Sequence, residues 1–204
     1  GDCSGKFAHN PEPLPGHLTA LSEAVVEMKA DMGISVDPDV DRLALVCEDG
    51  KMFGEEYTLV AAADHILSHK TGNTVSNLSS TQALRDVTEA RGGQYTGAAV
   101  GEVNVVNKMK EVGAVIGGEG NGGVIYPGLH YGRDALVGIA LILSLMAERK
   151  KTLSQLKAEY PAYFMSKNRV DLKPGTDVDG ILRKIEEQVK DLCKDINKVD
   201  GLKL

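Results

Sequence analysis

The sequence predicts an α/β protein of layered helices and short strands, and three observations carry that prediction. Apolar residues recur at helical spacing in one set of segments and form short continuous or alternating tracts in the others. The two kinds of segment alternate along most of the chain, which is the pattern of strands covered by helices. The 204 residues are 42% hydrophobic and 25% charged, close to the average for a globular protein, and suffice for one large domain or two modest ones.

The elements follow in order. The first sixteen residues, centred on Asn10-Pro11-Glu12-Pro13-Leu14-Pro15, read as an irregular lead-in. From His17, residues Leu18, Leu21, Val25 and Met28 define one helical face. Met32 to Val36 and the continuously apolar Leu43 to Cys47 read as buried strands flanking an acidic cluster. Glu48-Asp49-Gly50-Lys51 is a turn signal. Glu55 to His69 returns to helix, with Leu59, Val60, Ala63, Ile66 and Leu67 on one side and two acids at the start, where the helix dipole favours them. A strand is expected near Thr74–Ser76, a helix near Ser80–Arg91, a strand at Gln94–Ala98, a helix near Val103–Glu111 and a strand at Ala114–Ile116. Ala135 to Glu148 is apolar enough to predict a buried helix, and Thr152 to Glu159 a further helix ended by Pro161. Met165 to Leu172 reads as a strand, Asp177 to Asp195 as an amphipathic helix through Ile181, Ile185, Val189 and Leu192, and Gly201 to Leu204 as the start of another strand.

Composition excludes several functions. A formal charge of −6 with 4% aromatics and no Trp lacks the clustered cations and stacking rings of a nucleic-acid surface. No apolar run reaches the 18 residues that a membrane span needs, so no membrane partner is expected. Cys3, Cys47 and Cys193 are odd in number and lack CxxC spacing, which predicts free thiols in a reducing cytoplasm rather than a disulfide framework or zinc site. His65 and His69, four apart on a helical face, could hold a metal, but no third ligand motif accompanies them, and they read as a surface pair. No nucleophile elbow or Walker loop is present.

Two clusters carry chemistry. Asp37-Pro38-Asp39-Val40-Asp41-Arg42 puts three carboxylates at i, i+2 and i+4 between two apolar strands, a concentration of charge that a hard divalent cation would neutralise. A solvated acidic turn is the plain alternative. An EF-hand is a third, because Asp37, Asp39, Asp41 and Glu48 match its spacing, although Arg42 stands at its glycine position and the flanks read as strands. Of 23 glycines, 13 lie between Gly92 and Gly138, and their densest run is Gly117-Gly118-Glu119-Gly120-Asn121-Gly122-Gly123. Glycines permit positive φ and close backbone approach, while Glu119 and Asn121 suit sugar hydroxyls; a flexible loop with incidental polar residues is the alternative.

The acidic motif, followed by Leu43-Ala44-Leu45-Val46, resembles the metal loop of the α-D-phosphohexomutases, Asp-Gly/Pro-Asp-x-Asp-Arg between two strands. The resemblance implies Mg²⁺ held by Asp37, Asp39 and Asp41, with Arg42 beside a phosphoserine and the substrate. Gly118-Glu119-Gly120-Asn121-Gly122 resembles the family's sugar-specificity loop, which implies that Glu119 and Asn121 grip ring hydroxyls remote from the phosphate. Asn121, where gluco- and mannomutase members commonly carry Ser, and Gly123, where many carry His, lean toward glucosamine phosphate. Tyr131-Gly132-Arg133-Asp134-Ala135-Leu136 is similar to the family's following Arg-Asp segment. There Arg133 and His130 could reach phosphate or sugar, or Arg133 could simply pair with Asp134. Val100-Gly101-Glu102 matches a turn where some members place a ligand-contacting His, a role that Glu102 puts in doubt.

The implied architecture is that of layered phosphohexomutase-type α/β domains with mixed sheets. Residues 1–72 are expected to be the latter part of domain 2, residues 73–162 domain 3, and residues 163–204 a truncated start of domain 4. His9-Asn10-Pro11 echoes the phosphoserine loop of domain 1 with Ala8 in place of serine, but the wider Phe7 to Pro13 run is that of the second domain, so no catalytic nucleophile is expected in this chain. The implied activity is Mg²⁺-dependent transfer of phosphate between the 1- and 6-positions of a hexose or hexosamine phosphate through a bisphosphate. Glucosamine phosphate is foremost, glucose or mannose phosphate or a non-catalytic binding module the alternatives, and the chain alone is expected to be inactive without domains 1 and 4.

Overall fold

A computed structural model describes residues 4–7, 9–165, 170–193 and 196–203. After a 3-10 turn at Pro15–His17, helix α1 (Thr19–Met28) leads into strands β1 (Met32–Val36) and β2 (Leu43–Cys47). These pair antiparallel from Met32 opposite Cys47 to Val36 opposite Leu43, so the acidic segment is the connection of a hairpin. All of β2 is buried, but β1 is not the buried strand expected, since only Gly33 is inside. The outer side of β2 bonds to Gly122, Lys51 and Phe53, whereas among the described residues no strand pairs with the outer side of β1. In the Glu48 to Lys51 turn the Gly50 N–H donates to the Cys47 carbonyl at 2.9 Å.

The following elements are α2 (Glu55–His69), β3 (Thr74–Asn77), α3 (Ala83–Ala90), β4 (Tyr95–Ala98), α4 (Glu102–Val112), β5 (Ile116–Glu119), β6 (Gly123–Ile125), α5 (Ala135–Arg149) and α6 (Leu153–Lys157). They build a mixed sheet of order β4-β3-β5-β6, in which β3 is parallel to β4 and β5 while β6 returns antiparallel. Leu59 of α2, Leu84 of α3 and Ile142 of α5 pack with Ile116 and Val124 on one face; Val105 and Met109 of α4 pack with Val75 and Ile125 on the other. The result is three layers, helix–sheet–helix.

The connection β3–α3–β4 steps to one side of β3, and β4–α4–β5 returns to its other side. The carboxyl ends of β3 and β5 therefore flank a topological switch point, where open α/β sheets form their ligand crevice. Asn77 and Glu119 are the last residues of those two strands.

Two helices differ from their sequence expectation. Helix α2 is buried nearly all round because it touches β2, β5, β6, α3 and α5. Helix α5 buries only Ala135, Gly138, Ile142 and Leu145 and leaves Leu136 65% exposed, because one side alone meets the sheet and α2. Helix α7 (Val178–Val189) has no buried residue. Half of the expected strand at Met165–Leu172, residues 166–169, lies outside the described residues, and its flanks carry no strand. Residues 194–195 of the expected Asp177–Asp195 helix, Ala8, Cys3 and Leu204 are likewise outside them. Lys203 makes a single antiparallel bridge with Asn197. No helix is long and apolar enough to cross a membrane among the described residues.

Candidate functional site: an acidic loop docked on a sheet crevice

The acidic loop is folded by its own first aspartate. Asp37 is 2% exposed; its Oδ1 accepts from the Asp41 and Arg42 backbone N–H groups at 3.1 and 3.0 Å, and its Oδ2 from Arg42 Nε at 2.7 Å. Between them Val40 takes φ 60°, a left-handed conformation that costs a β-branched residue roughly 1–2 kcal/mol. Its N–H donates to the Asp37 carbonyl at 3.1 Å, and its own carbonyl accepts from Ala135 N–H at 3.1 Å, the first residue of α5. The loop thus satisfies a donor that a helix start leaves without an intrahelical partner.

Carboxylate oxygens of Asp37, Asp39 and Asp41 lie within 4.8 Å of one another. Burial opposes the Asp37 charge, yet the hydrogen bonds from Arg42 win and hold its pKa down at about 2. Asp41 goes the other way: burial, against the opposing pull of Arg133 and with the neighbouring acids, pushes its pKa up to about 6. Its Oδ1 is buried without a hydrogen-bond partner. An orphaned carboxylate oxygen beside two further carboxylates is a donor set that fits a hard divalent cation. Arg42 is held by Asp37 and by Glu12, with Nη1 on Oε1 and Nη2 on Oε2 at 3.2 Å.

The glycine segment is not a flexible loop but a β5–β6 hairpin with residues 120–122 as its turn. Gly122 has φ 89°, and a Cβ there would stand 2.3 Å from the Leu43 carbonyl oxygen, while Leu43 N–H donates to the Gly122 carbonyl at 3.1 Å. The turn is therefore seated on the residue that follows Arg42. Gly118 is required just as strictly, since a Cβ would lie 2.0 Å from the Gly123 carbonyl across the hairpin. Close backbone packing thus accounts for Gly118 and Gly122.

Glu119 ends β5 in the crevice and is 5% exposed. Its Oε1 accepts from Asn77 Nδ2 at 2.8 Å and Gly101 N–H at 3.3 Å, and its Oε2 from Arg133 Nη1 at 2.7 Å. Asn121 closes its own turn, its Oδ1 accepting from Gly123 N–H at 3.2 Å. Ser80 Oγ donates to Asn77 Oδ1 at 2.7 Å and accepts from Gly120 N–H at 2.9 Å, tying the end of β3 to the hairpin.

Arg133 joins the two motifs. Besides Glu119, its Nη2 contacts Asp41 Oδ2 and its Nε lies 3.1 Å from Glu102 Oε2. The Arg133–Asp134 pairing weighed on sequence does not form. Asp134 caps α5 by accepting from Val137 N–H at 3.0 Å and bonds His130 Nε2 at 2.9 Å. Sequence reasoning missed Glu12 and Asn77 and undervalued Glu102; a polar residue closing an otherwise buried parallel strand was the one available signal for Asn77.

Fold and site together define a three-layered α/β protein with an acidic, cation-fitting loop pressed against the switch-point crevice of its sheet. The chain belongs to the phosphoglucomutase/phosphomannomutase family: residues 54–163 match its alpha/beta/alpha domain III and residues 2–50 its alpha/beta/alpha domain II. It is 34% identical to a probable phosphoglucosamine mutase of Methanopyrus kandleri over 95% of this chain and 43% of that protein. It is 31% identical to a phosphoglucomutase/phosphomannomutase of Thermococcus kodakarensis over 97% and 43%. The crystal structure of a phosphoglucomutase/phosphomannomutase family protein from Burkholderia thailandensis superposes with a TM-score of 0.78 at 26% identity, over 95% of this chain and 42% of that one. The chain thus spans less than half the length of these relatives.

Proposed function

We propose that the chain is the central part of a Mg²⁺-dependent phosphohexomutase that moves phosphate between the 1- and 6-positions of a hexosamine phosphate through a bisphosphate intermediate. The observation that carries this reading is Arg133, whose guanidinium contacts both Asp41 and Glu119 and so draws the acidic loop and the glycine hairpin into one cleft.

In this reading Asp37, Asp39 and Asp41 hold Mg²⁺, which when bound neutralises charge on phosphate oxygens. Arg42 offers the phosphate a planar fork of donors once it exchanges Glu12 for that ligand. Glu119 already accepts three hydrogen bonds, and a carboxylate has about four acceptor positions, so one is left for a sugar hydroxyl or amine. The bonds from Asn77, Gly101 and Arg133 fix its orientation before a sugar arrives. Asn121 supplies an amide at the turn. Residues 163–204 are read as the opening of domain 4, and the phosphoryl-donating serine as belonging to domain 1.

The hexosamine preference draws on Asn121 and on relatives such as the Methanopyrus protein; the Thermococcus relative favours glucose or mannose phosphate as the second reading. The test is a substrate panel on the full-length parent enzyme. Interconversion of glucosamine 1- and 6-phosphates with the highest kcat/KM of the panel is expected, and no turnover by the 204-residue chain alone. Turnover by this chain by itself would overturn the assignment of roles.

A further inference from the structure

Away from the crevice, α2 and α5 bring two histidines and a glutamate together. His65 and His69 stand one turn apart on α2, and Glu148 lies in the last turn of α5. Glu148 Oε2 is 3.0 Å from His69 Nε2 and 3.6 Å from His65 Nδ1, and the three residues each bring one ligand atom within 4.8 Å of the other two. The two rings meet edge to face with centroids 5.0 Å apart. Sequence spacing supplied only the pair; the packing of α2 on α5 supplies the third donor.

A second observation points to a ligand. His65 is 7% exposed, and its Nδ1 is buried with no hydrogen-bond partner. At 3.6 Å the Glu148 carboxylate is too far to satisfy it. A buried polar atom left without a partner is costly, and such exceptions call for an unplaced ion or water. Four-coordinate Zn²⁺, with bonds of about 2.0–2.1 Å, separates its donor atoms by about 3.3 Å. The 3.0 and 3.6 Å edges at Glu148 bracket that spacing.

The scaffold is already locked without these three side chains. Asp64, the residue before His65, accepts from Arg149, the residue after Glu148, at 2.5 Å. It also accepts from Arg91 at 2.6 Å and the Tyr160 hydroxyl at 3.1 Å. This knot around the buried Asp64 holds the register of α2 against α5, which is the support a preorganised site needs. Arg149 brings a positive charge close by, but Asp64 and Glu159 offset it. His69 and Glu148 are half exposed and leave an entry path from solvent.

We propose that His65 Nδ1, His69 Nε2 and Glu148 Oε2 form a site for a transition metal of the Zn²⁺ class, separate from the acidic loop, with water as the fourth ligand and with the effect of clipping α2 to α5. Two imidazoles and one carboxylate select Zn²⁺, Co²⁺ or Ni²⁺ over Mg²⁺, which takes oxygen donors.

The test titrates the purified protein in millimolar Mg²⁺, which occupies an oxygen-only site, with Zn²⁺ by calorimetry and with Co²⁺ by visible absorption. One Zn²⁺ per chain, a tetrahedral Co²⁺ d–d band and a Tm that rises with Zn²⁺ are expected. His69→Ala and Glu148→Gln alter exposed side chains and should each weaken Zn²⁺ by at least about tenfold and remove the Co²⁺ band. Asp39→Asn should leave both unchanged. Absence of binding, equal affinity in His69→Ala and the unsubstituted protein, loss of binding in Asp39→Asn, or a thiolate-to-Co²⁺ band each overturns the proposal.

Discussion

Replacing Arg133 by methionine keeps most of the side chain's length and deletes the cation that joins the two motifs. Asp41 and Glu119 then face each other with side chains 17% and 6% exposed, and Glu102 loses its partner at the rim. An opposite charge about 4 Å away contributes on the order of 4 kcal/mol at an effective dielectric of about 20. Removing one partner of a buried pair costs roughly 3–5 kcal/mol, because the other charge stays desolvated. Part of this is recovered, since Asp41 holds its proton up to about pH 6 even with Arg133 beside it, and without that guanidinium it takes one more readily still. The expected net loss is therefore about 3 kcal/mol, read as a fall of about 1.5 M in the urea midpoint at an unchanged slope of about 2 kcal/mol per M. Arg133→Lys keeps the charge but not the planar fork that reaches three acceptors, and should lose about half as much. Millimolar Mg²⁺ should restore part of the methionine variant's loss and little of the unsubstituted protein's, as a cation returns to the acids. A midpoint fall below about 0.5 M for Arg133→Met, or a larger fall for lysine than for methionine, refutes the reasoning.

Two further outcomes follow from the packing. Gly122→Ala combines positive-φ strain with a Cβ 2.3 Å from the Leu43 carbonyl and should cost about 3 kcal/mol in urea unfolding; Gly113→Ala, at φ 61° in open space, carries the strain alone and should cost about 1 kcal/mol. Asp134, despite burial, has its pKa lowered by hydrogen bonds from His130 and the Val137 N–H. A carboxyl depressed on folding contributes stability above its ordinary value of 3.8 and loses it as the pH falls toward the folded value. Asp134→Ala should thus cost about 1 kcal/mol at pH 7 and progressively less below pH 4, measured by unfolding across that range.

Most elements of the fold were legible because their causes are local. The spacing of Leu18, Leu21 and Val25, the unbroken run Leu43 to Cys47 and the acids opening α2 all act within a turn or a few residues. The two motifs of the site were legible for the same reason, as runs of residue types that few structures use without purpose. Burial was less legible. Strand β1 and helix α5 are as apolar as elements fully enclosed, but enclosure depends on how many neighbours arrive: among the described residues β1 has one strand beside it, and α5 meets the sheet and α2 on one side only.

By itself the sequence determined an α/β protein with an acidic cluster and a glycine-rich segment, because backbone preference and apolar period belong to neighbouring residues. Only the tertiary structure decided that Arg133 serves Asp41, Glu102 and Glu119 rather than Asp134, that Asn77 and Glu119 meet at the sheet's switch point, and that Glu148 completes the pair His65 and His69. Those pairings depend on separation through space and on loss of water around each charge, quantities that arise only once distant segments have packed.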